Sequence, residues 1–358
     1  MRRLGRIKGD VLRRYLEWRG RQSTVQGYLS GCTFPDPPAR PTVEPGQLRV
    51  AALQVAARPF GSPRRFVQAM YEAMLPAVEQ GARLVAFPED VATGLMGMLP
   101  GSSRLFKAGL SVFRDGSAVR VADLYALADP AVRVIYHETF SGLARRARVW
   151  VAAGSANLSG EDGKVYNEAR LYAPDGGLAG VQRKLNLMAL EREWGLREGG
   201  QLRAFNLDGT RAFLPVCNDA GYWETFRWAV LAGAEIAIVP QADPDEYVLA
   251  NHLRGAWARV QESPAYAVVS CLVGELAGVR LSGKSAIFAP LEISPRGDGV
   301  LAQVEDPRAP GMAMADLDLQ VLRAYRRESG VLAGLRPDVY AHYFPGLYWS
   351  RRADGDAG

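Results

Sequence analysis

From Leu48 onward the chain alternates two hydrophobic patterns. Short runs rich in β-branched and other apolar residues read as buried strands: "LRVAALQVA" (48–56), "RLVAFPED" (83–90), "VWVAAGSANL" (149–158), "RAFLPV" (211–216), "EIAIVP" (235–240), "AYAVVSCLV" (265–273) and "SAIFAPL" (285–291). Between them, apolar residues recur at helical spacing. The segment 62–81 predicts a helix with Ser62 as N-cap, Pro63 in the first helical position and Gly81 at its end. Further helices are expected over 131–148, from about Tyr222 to Ala232, and across 247–262. The strands "VYNEARLYA" (165–173) and "LAGVQRK" (178–184) flank "PDGG" and predict a hairpin. Many short buried strands separated by helices imply an α/β sheet sandwich covered by helices rather than a bundle or an all-β barrel.

Ahead of this pattern, Leu4, Ile7, Val11, Leu12, Tyr15 and Leu16 recur at helical spacing among arginines, so residues 1–33 read as a basic amphipathic helical arm. "FPDPPARPTVEPG" (34–46) is too rich in proline for helix or central strand and reads as an extended linker. The expected organisation is arm and linker over 1–47, one domain over 48–345 and a tail over 346–358. The arm is expected to pack on its own domain or on a partner subunit, and its basic face also allows weak contact with an anionic membrane surface. The segment from about Met98 to Pro130 exceeds the usual connection length and is expected to border or lid a pocket.

Composition narrows the function classes. A chain of 358 residues that is 48% hydrophobic and 23% charged can bury a substantial core. Much of the net charge of +5 lies in the arm, so the main body carries no signature of nucleic-acid binding. No apolar stretch approaches the roughly 18 residues of a membrane span, and no secretory h-region opens the chain. Cys32, Cys217 and Cys271 are widely spaced and odd in number, which suggests neither a disulfide framework nor a structural metal site and fits a reducing cytoplasm.

Loops at strand ends carry the chemistry of α/β folds, because a rigid scaffold positions them. Three polar residues end apolar strands here: Glu89, Lys184 and Cys217. A thiol needs a base or a neighbouring positive charge to act as a nucleophile at neutral pH. A carboxylate can take its proton, and an ammonium can stabilise the charge that its attack creates. None of His137, His252 and His342 falls at a predicted strand end, so carboxylate is favoured as base. Asp219 is expected to orient the turn after Cys217 through hydrogen bonds to backbone, and Cys271 to belong to the core.

These stretches also carry a family resemblance. "VAFPED", "GVQRKLNL" and "LPVCNDAGYWE" resemble, in order and strand context, the glutamate, lysine and cysteine motifs of the carbon-nitrogen hydrolase family, the nitrilase superfamily. The similarity runs from about Leu48 to Tyr340 and includes "YNEARLYAPDGGLAG", "AGAEIAIVP" and "GKSAIFAP". The resemblance implies a four-layer α-β-β-α sandwich, homodimers or larger homo-oligomers, and no metal or organic cofactor. It also implies a triad of Glu89 as general base and acid, Lys184 as oxyanion stabiliser and Cys217 as nucleophile passing through a thioester. The backbone N–H of Asn218 would share the oxyanion, and Glu191, with Glu193 as runner-up, would be the family's second glutamate. "CNDAGYWE" departs from the "CWE" of true nitrilases, and Ala220 and Gly221 replace the arginine pair of D-carbamoylases. An amidase acting on a small amide is therefore expected. A nitrilase, an N-carbamoyl amidohydrolase and a noncatalytic scaffold are the alternatives.

Overall fold

The computed structural model describes residues 2–35, 46–102 and 120–355, and side chains over 9–35, 46–102 and 120–350. Most of the predicted linker and residues 103–119 of the predicted insertion lie outside the described residues.

Two sheets form the centre. β1 (Gln47–Ala57), β2 (Leu84–Ala86) and β3 (Trp150–Ser159) run parallel, and the antiparallel hairpin β4 (Val165–Tyr172) and β5 (Leu178–Arg183) extends their edge. In the second sheet, β6 (Ala204–Leu207) is antiparallel to β7 (Thr210–Phe213), and β7, β8 (Ile236–Gln241) and β9 (Tyr266–Leu276) are parallel. β10 (Val279–Leu281) and β11 (Ala286–Phe288) each pair antiparallel with β9, and β12 (Val300–Gln303) follows β11. β13 (Gly311–Asp318) returns to the first sheet, antiparallel to β1. Near their ends β1 and β9 pair through Val55–Ala57 and Leu272–Gly274, which joins the sheets into one hydrogen-bonded system.

The alternation of side chains along each strand sorts them into layers. Val50 and Ala52 of β1, Leu84 and Ala86 of β2, and Trp150 and Ala152 of β3 pack against Ile236 and Ile238 of β8 and Val268 of β9, making the core between the sheets. The intervening Ala51, Leu53, Val85 and Val151 face outward under helices. Ala237, Val239, Ala267 and Val269 do the same on the second sheet. Apolar residues at nearly every strand position are thus explained by burial on both faces. The four-layer sandwich is the observed architecture.

α1 (Arg2–Arg19) and α2 (Gln22–Leu29) pack outside a layer made by α3 (Pro63–Glu79) and α4 (Val121–Ala147), which cover the first sheet. The basic arm is two helices rather than one. Leu16, Val25, Leu29 and Cys32 are buried in the same cluster as α3 and α4, so the arm packs on its own domain, while Val11, Tyr15 and Trp18 remain exposed. Ser62 caps α3, its Oγ accepting from Arg65 N. α4 starts ten residues before the expected 131 and runs through Pro130. Burial of Val121, Ala122, Tyr125 and Ala128 in the apolar cluster under the helices supports this added length despite the missing N–H of Pro130. α5 (Ala189–Glu193) is a single turn, and α6 (Trp223–Leu231) lies on the second sheet. The helix expected over 247–262 is interrupted: α7 (Leu249–His252) and α8 (Ala258–Glu262) are separated by a π turn in which Gly255 leaves helical geometry. α9 (Leu319–Glu328) follows β13, and α10 (Pro337–Gly355) closes the described chain. Among the described residues no helix is long and apolar enough to cross a membrane.

A bulge in β3 fixes the chain that leaves β2. The register of β3 against β4 shifts between Ala152 and Ser155, and Gly154 there has φ +65°. Phe87 N donates to Ala152 O at 2.8 Å and Asp90 N donates to Ser155 Oγ at 3.0 Å, so the 87–90 loop is held by the bulge. A Cβ on residue 154 would stand 1.9 Å from Pro88 O. Gly154→Ala is therefore expected to lower stability by about 2 kcal/mol or more in urea unfolding. Gly163→Ala has a similar φ of +74° but no atom within 4 Å of its Cβ, and should cost only about 1 kcal/mol.

Candidate active site

Glu89, Lys184 and Cys217 come from three separate strand ends and converge, with Glu89 and Lys184 buried and Cys217 half-buried. Glu89 lies three residues beyond β2 and is 2% exposed. Lys184 is the first residue after β5, 1% exposed, its N–H donating to Asn167 O at 2.8 Å as a continuation of the hairpin. Cys217 ends the run beyond β7 at φ +48° and opens a 3-10 turn through Gly221. A left-handed cysteine is strained by about 1 kcal/mol or more, and such strain persists where the surroundings enforce a sharp turn.

Lys184 Nζ donates to Glu89 Oε1 at 2.9 Å and to Glu191 Oε2 at 2.7 Å. The Cys217 thiol lies close enough to the Glu89 carboxylate for each to shift the other's protonation. Ala242 N donates to Glu89 Oε2 at 2.9 Å, so both carboxylate oxygens are oriented. Burial raises Glu89 above the usual carboxylate range; Lys184 opposes that rise and Glu191 adds to it. Burial works against the Lys184 charge, but Glu89, Cys217 and Glu191 outweigh it and hold the ammonium well above the usual lysine value. Burial and then the charge of Glu89 push the Cys217 thiol well up, with Lys184 pulling against them. The resting arrangement is therefore a protonated thiol facing a basic carboxylate beside a fixed ammonium. That set can move a proton off sulfur and stabilise an oxyanion.

Glu191 completes the group from α5, where its Oε2 also accepts from Met188 N at 2.8 Å. Glu193, two residues on, is exposed. Asp219 is fully buried and does more than close its own turn. It accepts from Val216 N at 3.0 Å, from Asn186 N at 2.7 Å, from Leu185 N at 3.1 Å and from Asn186 Nδ2 at 3.0 Å, tying the cysteine turn to the lysine loop. Asn218 Nδ2 donates to Asn186 O at 3.1 Å and adds a second tie. Cys271 is core beneath α6 and α8.

Asn167 was not singled out by the sequence pattern. Its Nδ2 donates to Glu89 Oε1 at 2.8 Å and lies 3.4 Å from Glu191 Oε1, bridging the two carboxylates. Its position on the inward face of β4, the hairpin partner of the strand that ends at Lys184, was the available signal.

A cavity of about 90 Å³ adjoins the group, lined by Glu89, Lys184 and Glu191 at one end and otherwise mainly by apolar side chains. Cys217 is not among the described lining residues, whereas its partner Glu89 is. Val121, Leu124 and Tyr125 of α4 form part of the wall, so the segment after Met98 does border the pocket.

The chain matches the Carbon-nitrogen hydrolase family over residues 49–327. It is 31% identical over 212 residues to the probable hydrolase YhcX of Bacillus subtilis (strain 168), a match covering 57% of this chain and 41% of that protein. The chain thus spans less than half the length of that relative. It is 30% identical over 201 residues to an (R)-stereoselective amidase of Pseudomonas sp, covering 56% of this chain and 68% of the other. Among solved structures, a double mutant of the amidase from Nesterenkonia sp. AN1 in complex with acrylamide superposes with a TM-score of 0.62 at 20% identity, covering 83% of this chain and 97% of that one.

Asp219→Ala removes one acceptor shared by four donors. We expect a loss of at least about 2 kcal/mol in urea unfolding, together with slower alkylation of Cys217 by iodoacetamide relative to denatured protein. Asp219→Asn, which keeps one acceptor oxygen, should fall between the two.

Proposed function

The chain belongs to the carbon-nitrogen hydrolase family, and from that premise we propose that it is a thiol amidohydrolase of small, non-peptide amides. The observation that carries this reading is one buried carboxylate, Glu89, paired with the Lys184 ammonium at 2.9 Å and near enough to the Cys217 thiol for the two to shift each other's protonation. Its relatives include both the (R)-stereoselective amidase named above and a nitrilase of Pyrococcus abyssi (strain GE5 / Orsay), so the preference for amide over nitrile chemistry rests on the departure of "CNDAGYWE" from the "CWE" of true nitrilases.

In this mechanism Glu89 takes the Cys217 proton as sulfur attacks the amide carbon. Glu89 is suited to that task because its buried carboxylate is more basic than an ordinary one. The carbonyl electron pair moves onto oxygen, which Lys184 Nζ and the Asn218 N–H stabilise. Collapse of the tetrahedral species expels the amine, to which Glu89 returns the proton, and leaves an acyl thioester. Glu89 then deprotonates a water that attacks the thioester. The carboxylic acid departs and the thiolate regains its proton. Glu191 and Asn167 keep Lys184 charged and Glu89 aimed through both half-reactions.

Cys217→Ala is expected to abolish turnover of small aliphatic and aromatic amides, and intact-protein mass spectrometry of the wild type should show an acyl adduct that this variant lacks. Unchanged turnover would eliminate the nucleophile. Glu89→Gln should lower kcat/KM by about 10²–10⁴-fold. In the wild type, Glu89 must be ionised to accept the proton, so kcat/KM should fall as pH drops. The apparent pKa of that acid limb should lie above the ordinary glutamate value of about 4.3, and a limb at or below that value would contradict the role assigned to Glu89.

A further inference from the structure

The residue next to the proposed base has an arrangement that the mechanism leaves unused. Asp90 lines the cavity at φ +55°, a left-handed geometry that aspartate tolerates better than most residues. Its Oδ1 accepts from Asn157 Nδ2 at 2.7 Å and from Thr93 Oγ1 at 3.2 Å. Tyr125 lines the same stretch of wall as Asp90 and Thr93. No described residue donates to Asp90 Oδ2. One carboxylate oxygen is therefore fixed by the protein, and the other belongs to a residue in the wall of an otherwise largely apolar cavity.

Among the described residues, the charges lining the cavity are one-sided. Among its described lining residues the carboxyl groups are Glu89, Asp90 and Glu191, and the single cation is Lys184, already paired with both glutamates. Burial, followed by the charges of Glu89 and Glu191, pushes Asp90 up to about 7, against a smaller pull from Lys184. An arriving cation would recover the energy that these like charges cost, whereas an arriving carboxylate would add to it.

We propose that Asp90 is a specificity-determining residue, the counter-ion for a protonated amine on the acyl part of the substrate, so that the site takes amino-substituted amides and rejects amides bearing a carboxylate. The inference rests on the amidase reading and names its substrate class. The apolar walls, including Leu124, Met188, Trp194 and Leu276, accept the hydrocarbon between the amide and the amine. Thr93 and Asn157 act as positioning residues that hold the Asp90 carboxylate.

The test compares three amides of similar length and shape: pentanamide, 5-aminopentanamide and the monoamide of glutaric acid. Binding is measured by calorimetry at pH 8 on full-length Cys217→Ala protein, which needs no turnover. The aminoamide should bind about tenfold or more tightly than pentanamide, and the acid monoamide more weakly than either. Adding Asp90→Asn should reduce the amine preference to less than about threefold; Asp90→Ser serves in its place if the asparagine variant does not fold. Each preference is a ratio within one protein, so a general loss of affinity does not mimic the result. Equal or tighter binding of the acid monoamide, or an amine preference that survives both substitutions, overturns the proposal. Turnover by the wild type separates this outcome from the amidase reading. Hydrolysis of pentanamide without any amine preference would sink only the role of Asp90, and the expected binding order without hydrolysis of any of the three would sink only the amidase reading.

Discussion

The ammonium of Lys184, held 2.9 Å from Glu89 and 2.7 Å from Glu191 at 1% exposure, is the constraint on which the site depends. An isolated charge this deeply buried would lose its proton, because desolvation penalises the ionised form. Two carboxylates reverse that outcome for lysine. The carboxylates are in turn kept from repelling each other freely by the cation between them and by the Asn167 amide that bridges them. Removing one member leaves the others as uncompensated buried charges, which costs far more than a surface pair would. The group is thus a unit whose protonation states are set together.

Holding such a unit requires rigid supports, and each comes from a different part of the fold. The β3 bulge at Gly154 clamps the loop that carries Glu89. The β4–β5 hairpin delivers both Asn167 and Lys184. Asp219 binds the cysteine turn to the lysine loop through a single carboxylate. The two sheets meet at β1 and β9, and Leu272, in that junction, lines the cavity. Layering therefore does more than bury apolar surface: it brings strand ends from both sheets to one place.

Sequence patterns conveyed much of this architecture. Strands β1, β3, β8 and β9 were legible because burial on both faces writes an apolar residue at nearly every position. The β6–β7 hairpin was missed although Asp208-Gly209 is a turn signal, and both residues do adopt positive φ. The extension of α4 through Pro130 and the break at Gly255 were not legible. Both depend on packing, through Tyr125 and Ala128 in one case and Ala256 in the other, which overrides local propensity. β13 alternates Ala313 and Leu317 inward with Met312 and Met314 outward, a period-2 pattern that a stretch this mixed in polarity only weakly reveals.

For the site, the ends of apolar runs in the sequence marked Glu89, Lys184 and Cys217, the turn after the cysteine pointed to Asp219, and the family resemblance added Glu191. Strand ends are a one-dimensional property, set where an apolar run stops. Contact distances, the bridging role of Asn167 and the exposure of Asp90 to the cavity emerged only with the tertiary structure. They depend on segments about 100 residues apart meeting across a hairpin, a bulge and a sheet junction, and no local pattern encodes such an encounter, because it is fixed by how whole layers pack.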